Sequence, residues 1–334
     1  MIKKYTSFKQ DFIESIPKMS SMVDKKMNTN SFPFISYCDL EIITLKIWST
    51  KLWNTQMVYT TNKPRLNTPI FNVFLCDHRC SNLPLAKTYR EVVMHSGYYI
   101  GHHFGKPAYL KWIDENNMII ICDDPGRIIW SYVIKIVLTL FSYKQNILHV
   151  KGSTIEYKNK VFLVMGRGGS GKTEFVKTLC EHGAKMMGNT HALIKDGMAY
   201  GIKSNIRVRT DGKEKYCSFG DDLNIPYYSG WLPIGGLFWI QYRVDGNNFI
   251  SKLDTTAAFH NLRWFTEAVG NWEMKEDIAD HFSSDPIQFS KCMKKIDDMV
   301  QELCEKHSVY YANLDIHSDD GRNKVISLMK KLIS

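Results

Sequence analysis

The stretch VFLVMGRGGSGKTEF, residues 161–175, decides how this chain is read. Val161 to Met165 form an apolar run of buried-strand type, four glycines follow within six residues, and Phe175, Val176, Leu179 and Cys180 then recur at helical spacing. Between those flanks Gly166, Arg167, Gly168, Gly169, Ser170, Gly171, Lys172 and Thr173 fit the pattern G-x-x-x-x-G-K-[ST]. Glycines let a backbone take positive φ and turn its N–H groups inward as an anion nest, and the N-terminal end of the following helix adds partial positive charge. Phosphate is the natural guest of such a loop. Lys172 would bridge the β- and γ-phosphates and the Thr173 hydroxyl would ligate Mg²⁺.

Working outward, the chain from Ile147 reads as strand, turn at Lys158-Asn159-Lys160, strand, glycine loop and helix, the helix stopping at Gly183 as a C-terminal cap. Ala192–Lys195 and Met198–Ile202 flank Asp196-Gly197, a strong hairpin dipeptide. Asn205–Thr210 continues the sheet toward Asp211-Gly212, and Gly236–Val244 is a further strand. Two amphipathic helices close the chain, one with Phe289, Cys292, Met293, Ile296, Met299, Val300 and Leu303 inward, the other with Val325, Ile326, Leu328, Met329 and Leu332. Upstream, residues 1–125 read as a separate β-rich domain, with short runs at Phe34–Tyr37, Ile42–Ile47, Gln56–Thr60, Ile70–Cys76, Tyr98–Ile100, Tyr109–Trp112 and Met118–Cys122. Asp123-Asp124-Pro125-Gly126 punctuates the chain, and a helix from Ile128 to Leu140 opens the second domain, residues 126–334.

Composition narrows the class. The chain has 334 residues, 44% hydrophobic and 23% charged, which is ordinary for globular domains and long enough for two of them. The net charge of +9 suits an anionic partner, nucleotide or nucleic acid, yet the basic residues are scattered as pairs such as Lys3-Lys4 and Lys294-Lys295. Eight cysteines without a C-x-x-C pair read as reduced thiols in a cytosol. Cys76-Asp77-His78-Arg79-Cys80 has metal-ligand residue types but no second ligand pair at zinc-like spacing. The first residues lack an apolar signal-peptide core, and the apolar run from Ile128 to Phe141 is short and carries Lys135, so a buried helix is expected there and no membrane partner.

The stretch from Ile147 to Arg209 resembles the HPr kinase/phosphorylase and phosphoenolpyruvate-carboxykinase-like kinase group. A His that opens the first strand (His149), a short turn before the loop strand, Lys172-Thr173-Glu174 and Glu181-His182-Gly183-Ala184 occupy the group's places. The likeness is close over about 60 residues and loose over about 200. It implies an α/β fold with a mixed sheet and hairpins, preceded here by the smaller β-rich domain. It also implies ATP or a related nucleotide held with Mg²⁺ by Gly166 to Glu174, and a hydroxyl acceptor on a peptide, protein or small molecule. Relatives of this type often assemble, though no segment reads as an interface.

The departure falls at the group's paired aspartates, one a base toward the acceptor and one assisting Mg²⁺. Their places are taken by Asn189 and Thr190. Their oxygens can touch a metal or its waters, with Thr190 acting through water, but cannot take up a proton near neutral pH, a step typically worth about 10² to 10⁴ in rate. Three solutions stand side by side. His191 replaces the base, although strand alternation lets it face the site only if Thr190 does not; His149 does so; or chemistry is lost and nucleotide is merely bound or sensed. Phosphotransfer leads, because loose phosphoryl transfer depends mostly on positioning. The alternative is a nucleotide-binding or sensing module without turnover, and the second alternative nucleotidyl transfer or nucleic-acid end processing, the latter on charge alone. Secondary candidates are Asp221-Asp222 in a Gly- and Pro-bounded loop, and Arg207 with Arg209, which would share one strand face; His102-His103, Trp231 and Trp239 read as structural.

Overall fold

A computed structural model describes residues 14, 21, 32–52, 58–77, 93–95, 98–101, 108–122, 125–210, 213–217, 224–242, 247–266 and 285–333. The chain divides into two compact units, Met1–Lys135 and Ile136–Ser334. Each carries a mixed sheet, and the fold is mixed α/β.

The first unit holds β1 (Phe34–Asp39), β2 (Thr44–Ser49), β3 (Ile70–Asp77), β4 (Val93–His95), β5 (Tyr98–Gly101), β6 (Ala108–Asp114) and β7 (Asn117–Cys122), in the sheet order β1-β2-β3-β7-β6-β5-β4. Strands β2, β3 and β7 run parallel and the other pairs antiparallel. The continuous apolar runs of β3 and β7 follow from that central place: Phe71, Val73, Phe74, Leu75 and Cys76, and Met118 to Cys122, are all buried. The expected strand over Gln56–Thr60 does not form across its described residues 58–60. Thr61 instead makes an isolated antiparallel bridge to Tyr37. The helical run begins with a proline at its first position, α1 (Pro125–Ile128), passes through a π-helical segment (Ile129–Val133) and continues as α2 (Ile134–Lys144). The division between units falls inside this run, at Lys135. No helix among the described residues is long and apolar enough to cross a membrane.

The second unit begins with β8 (Leu148–Lys151), β9 (Ser153–Tyr157) and β10 (Lys160–Met165), then α3 (Lys172–Glu181), β11 (Lys185–Gly188), β12 (His191–Lys195) and β13 (Met198–Gly201). A separate hairpin, β14 (Ile206–Thr210) and β15 (Lys213–Cys217), precedes the long β16 (Leu232–Tyr242), and β17 (Phe249–Lys252), α4 (Thr255–Arg263), α5 (Pro286–Lys306), β18 (Val309–Leu314) and α6 (Asp319–Ile333) complete it. Local signals act as the sequence suggests. Lys158-Asn159 (φ 49° and 62°) and Asp196-Gly197 (φ 51° and 73°) are two-residue turns with both φ positive, the twist that two-residue hairpins need. Gly183 ends α3 at φ 93°, with Gly183 N–H donating to the Cys180 carbonyl (3.2 Å) and Ala184 N–H to that of Leu179 (3.1 Å), a Schellman cap.

The sheet runs β11-β9-β10-β16-β13-β12-β8, with β18 on β16 and β17 on β18. Residues 148–157, which read as one strand in sequence, are cut at Gly152 into β8, paired with β12, and β9, paired with β10 and β11. β10, β16 and β18 are mutually parallel, so Met165, Tyr242 and Leu314 end at one edge. Helices α3 and α6 cover one face there, burying Phe175, Val176 and Leu179 with Val164, Phe238, Leu314, Val325 and Met329. That face is what holds the glycine loop against the strand ends.

Candidate functional site

The loop from Gly166 to Gly171 leaves β10 at the edge where open α/β sheets place ligands, outside the carboxyl ends of parallel strands. Its shape is held from below. A Cβ at Gly166 would lie 2.8 Å from the Ile240 carbonyl oxygen, and Tyr242 N–H donates to the Ser170 carbonyl at 3.2 Å, so the loop sits directly on β16. Gly169 and Gly171 take φ of 79° and 82°, which only glycine adopts at little cost. From above it is open: a Cβ on Gly168 or Gly169 would meet nothing within 4 Å. Arg167 is exposed beside that opening.

Lys172 opens α3 and turns back over the loop, its Nζ donating to the carbonyl oxygens of Gly166 (2.7 Å) and Arg167 (2.8 Å). Burial, and then the charge of Lys151, push its ammonium down to about 8 from the ordinary 10.5. The sign of the linkage follows. Without an anion the site holds the charged form at a cost, and a bound anion stabilises that form and raises the pKa again. Anion binding therefore takes up a proton above about 8, and affinity should fall about tenfold per pH unit from there until the bound-state pKa is reached. Calorimetric titrations at pH 7, 8.5 and 9.5 in buffers of different ionisation enthalpy check both the loss and the proton uptake.

Thr173 is half-buried in the first turn of α3. Glu174 is exposed and pairs with Lys177 at 3.4 Å, on the helix surface. Ser170 Oγ is buried with no hydrogen-bond partner, and so is Asn189 Oδ1. Asn189 and Thr190, half-buried, connect β11 to β12, and their backbone is tied to the start of β9: Gly152 N–H donates to the Thr190 carbonyl (2.9 Å) and Ser153 Oγ to that of Asn189 (2.6 Å).

The two histidines are brought together in the interior. His149 and His191 are 3% and 1% exposed; His149 Nε2 and His191 Nδ1 lie 3.1 Å apart, and His149 Nδ1 is 3.1 Å from Thr139 Oγ1. The register of β8 against β12 pairs His191 with Lys151 and Leu193 with His149, which puts Lys151 on the strand position beside the histidine pair. Lys151 did not figure among the sequence candidates. The close packing of Gly152 on Val164 and Met165 sets Lys151 one residue from the end of the loop strand, a tertiary contact with no local signal in the sequence.

A divalent cation can be tested against these donors. Mg²⁺ in nucleotide sites is usually held by one or two carboxylates besides phosphate oxygens. Thr173, Asn189 and Thr190 offer neutral oxygens only, and no group of three or more His, Cys, Asp or Glu suited to a metal occurs among the described residues. The described residues do not fit a protein-held Mg²⁺. Asp221-Asp222, His102-His103, His78 and Cys80 lie outside the described residues, and Cys76 is buried in β3. Arg207 and Arg209 do alternate along β14, but on the hairpin apart from the sheet that carries the loop. Trp239 packs on Tyr311 (4.9 Å between ring centroids) and Trp231 on Tyr200 (5.6 Å). Burial pushes the thiols of Cys38, Cys180 and Cys292 up to about 12, which suits inert packing residues.

No family model matches the sequence. A curated protein of Arabidopsis thaliana, ABC transporter I family member 6, chloroplastic, is 30% identical over 125 residues, 36% of this chain and 34% of its own length. The chain thus spans about a third of that relative. Among solved structures, the Hpr(Ser) kinase/phosphatase from Coxiella burnetii is similar over 55% of this chain and 93% of its own, at 9% identity and a TM-score of 0.26, a likeness too low to carry an argument.

Proposed function

We propose that the Ile136–Ser334 unit is an HPr-kinase-like P-loop domain that binds ATP or a related nucleoside triphosphate and transfers its γ-phosphate to a hydroxyl acceptor. The observation that carries this reading is the Lys172 ammonium, held by its own loop's carbonyls between a buried strand and a helix N-terminus, with open space above Gly168 and Gly169. A phosphate entering that space would meet the loop N–H groups, the α3 terminus and an ammonium that needs an anion. Loose phosphoryl transfer asks mainly for positioning and charge neutralisation, and this loop is built for both.

The acceptor's proton is assigned to His191. It directly follows Asn189 and Thr190, and its hydrogen bond to His149 offers the proton a second ring. His191→Gln should therefore lower kcat by about 10²-fold while nucleotide affinity stays within about twofold. A steady-state kcat and KM split checks this; a lowered melting temperature with unchanged kcat would leave the pair a packing feature instead. A second reading, a nucleotide-binding module without turnover, is favoured by the deep burial of both rings and the missing carboxylates at 189 and 190. Incubation with γ-labelled ATP and hydroxyl-bearing peptides separates the two: transfer of label lost in Lys172→Ala supports the kinase, and bound ATP with no labelled product supports the module.

A further inference from the structure

We propose that Lys151 is a second phosphate-binding cation of this loop, supplying the charge that P-loop sites ordinarily take from a divalent cation, so that nucleoside triphosphate binds here without Mg²⁺. The inference rests on the nucleotide reading above and deepens it.

The geometry begins with Gly152. A Cβ there would lie 3.1 Å from the Val164 carbonyl oxygen, 3.2 Å from Leu163 Cδ1 and 3.3 Å from Met165 Cγ, so this backbone is pressed against the last residues of the loop strand. Lys151 is the next residue back. It therefore lies one residue from a backbone packed on Val164 and Met165, which lead directly into Gly166, the first loop glycine, whose carbonyl already holds Lys172 Nζ. Three contacts hold the backbone at this position: Lys151 N–H to the Phe265 carbonyl (2.5 Å), Gly152 N–H to that of Thr190, and the pairing with His191. Its charge is felt at Lys172, where it is the second cause of the lowered ammonium pKa.

Two lysines thus border one loop closely enough for the charge of one to act on the other, and no carboxylate partner is found for either among the described residues. The nearest acids in sequence, Glu156 to Lys151 and Glu174 to Lys172, are paired instead with Lys185 and Lys177. Like charges in a half-buried site repel unless an anion sits between them. A single phosphate is answered by Lys172 and the loop N–H groups. A β,γ-bridged polyphosphate carries the further charge that a second cation matches. In other P-loop sites that charge is met by Mg²⁺ anchored on a carboxylate, and here the described donors at 173, 189 and 190 are neutral. Lys151 is the cation whose charge already acts on Lys172, and it is the one assigned that missing charge.

The test is calorimetric titration of the full chain with ATP, in EDTA and in excess Mg²⁺, on the wild type, Lys151→Gln and Lys151→Arg, with thermal melts as a folding control. Wild-type affinity should be within about threefold in the two conditions, since an ammonium replaces the metal's charge. Lys151→Gln should lose about tenfold or more in EDTA and recover most of it with Mg²⁺, and Lys151→Arg should behave as wild type. Wild-type binding that requires Mg²⁺, or a Lys151→Gln loss that is the same in both conditions, overturns the proposal while leaving the nucleotide reading intact. Absence of ATP binding to folded wild type in either condition overturns both.

Discussion

Lys172→Ala is expected to remove nucleoside triphosphate binding while leaving the fold intact. The ammonium contributes nothing to the core: it is half-buried, and its hydrogen bonds go to two carbonyls of an open loop that water can satisfy in its place. Its charge is held down to about 8, so the folded chain does not gain from keeping it protonated. Towards an anion the balance reverses. Two charge-assisted contacts to β- and γ-phosphate oxygens at about 1.5–3 kcal/mol each amount to about 10²-fold in affinity or more. The melting temperature should stay near the wild-type value, and the thermal shift on adding ATP should vanish. A variant that melts normally and still binds ATP as the wild type does would remove Lys172 from the site.

Gly201→Ala is expected to destabilise the second unit strongly. Where β13 passes β11, a Cβ on Gly201 would lie 2.1 Å from Thr154 Oγ1, 2.6 Å from Gly188 N and 2.6 Å from the Met187 carbonyl carbon. Two of those atoms are backbone, and Gly188 is itself packed with its own Cβ position 2.8 Å from Ile202 N. The strands cannot part without disturbing the buried ends of β9 and β12. Overpacking of a dense core typically costs about 1–3 kcal/mol, and a clash with backbone belongs at or above the upper end. For a unit of this size about 3 kcal/mol lowers the melting temperature by roughly 6–12 °C. Gly168→Ala, which meets nothing within 4 Å, should leave it unchanged and serves as the control. Equal melting curves for the two variants would contradict the packing described for the β11–β13 crossing.

The elements legible in the sequence were those whose causes are local. The glycine loop, the turns at Lys158-Asn159 and Asp196-Gly197 and the cap at Gly183 each depend on a few adjacent residues with required backbone angles. The stripes of α5 and α6 depend on helical periodicity, and Cys292, Ile296, Val300 and Leu303, then Val325 and Met329, are indeed the buried positions. What was not legible depends on distant partners. Leu148–Tyr157 has one strand-like pattern, yet Gly152 hands its halves to different neighbours because the close approach to Val164 leaves no room for a side chain. Similarly, β16 reads as a strand from Gly236, but pairing with β13 carries it back to Leu232. The meeting of His149 with His191, 42 residues apart, follows from the pairing of β8 with β12, and the place of Lys151 from the packing of Gly152 on Val164, neither from anything in their own surroundings.

The central claim is that this loop recognises a chain of phosphates. Its most direct test is a titration of the full-length wild type at pH 7 with ATP, ADP, AMP and adenosine, read by calorimetry. Affinity should rise steeply with each phosphate and be lost throughout in Lys172→Ala. Equal affinity for adenosine and ATP, or no saturable binding of ATP to the folded chain, would contradict it.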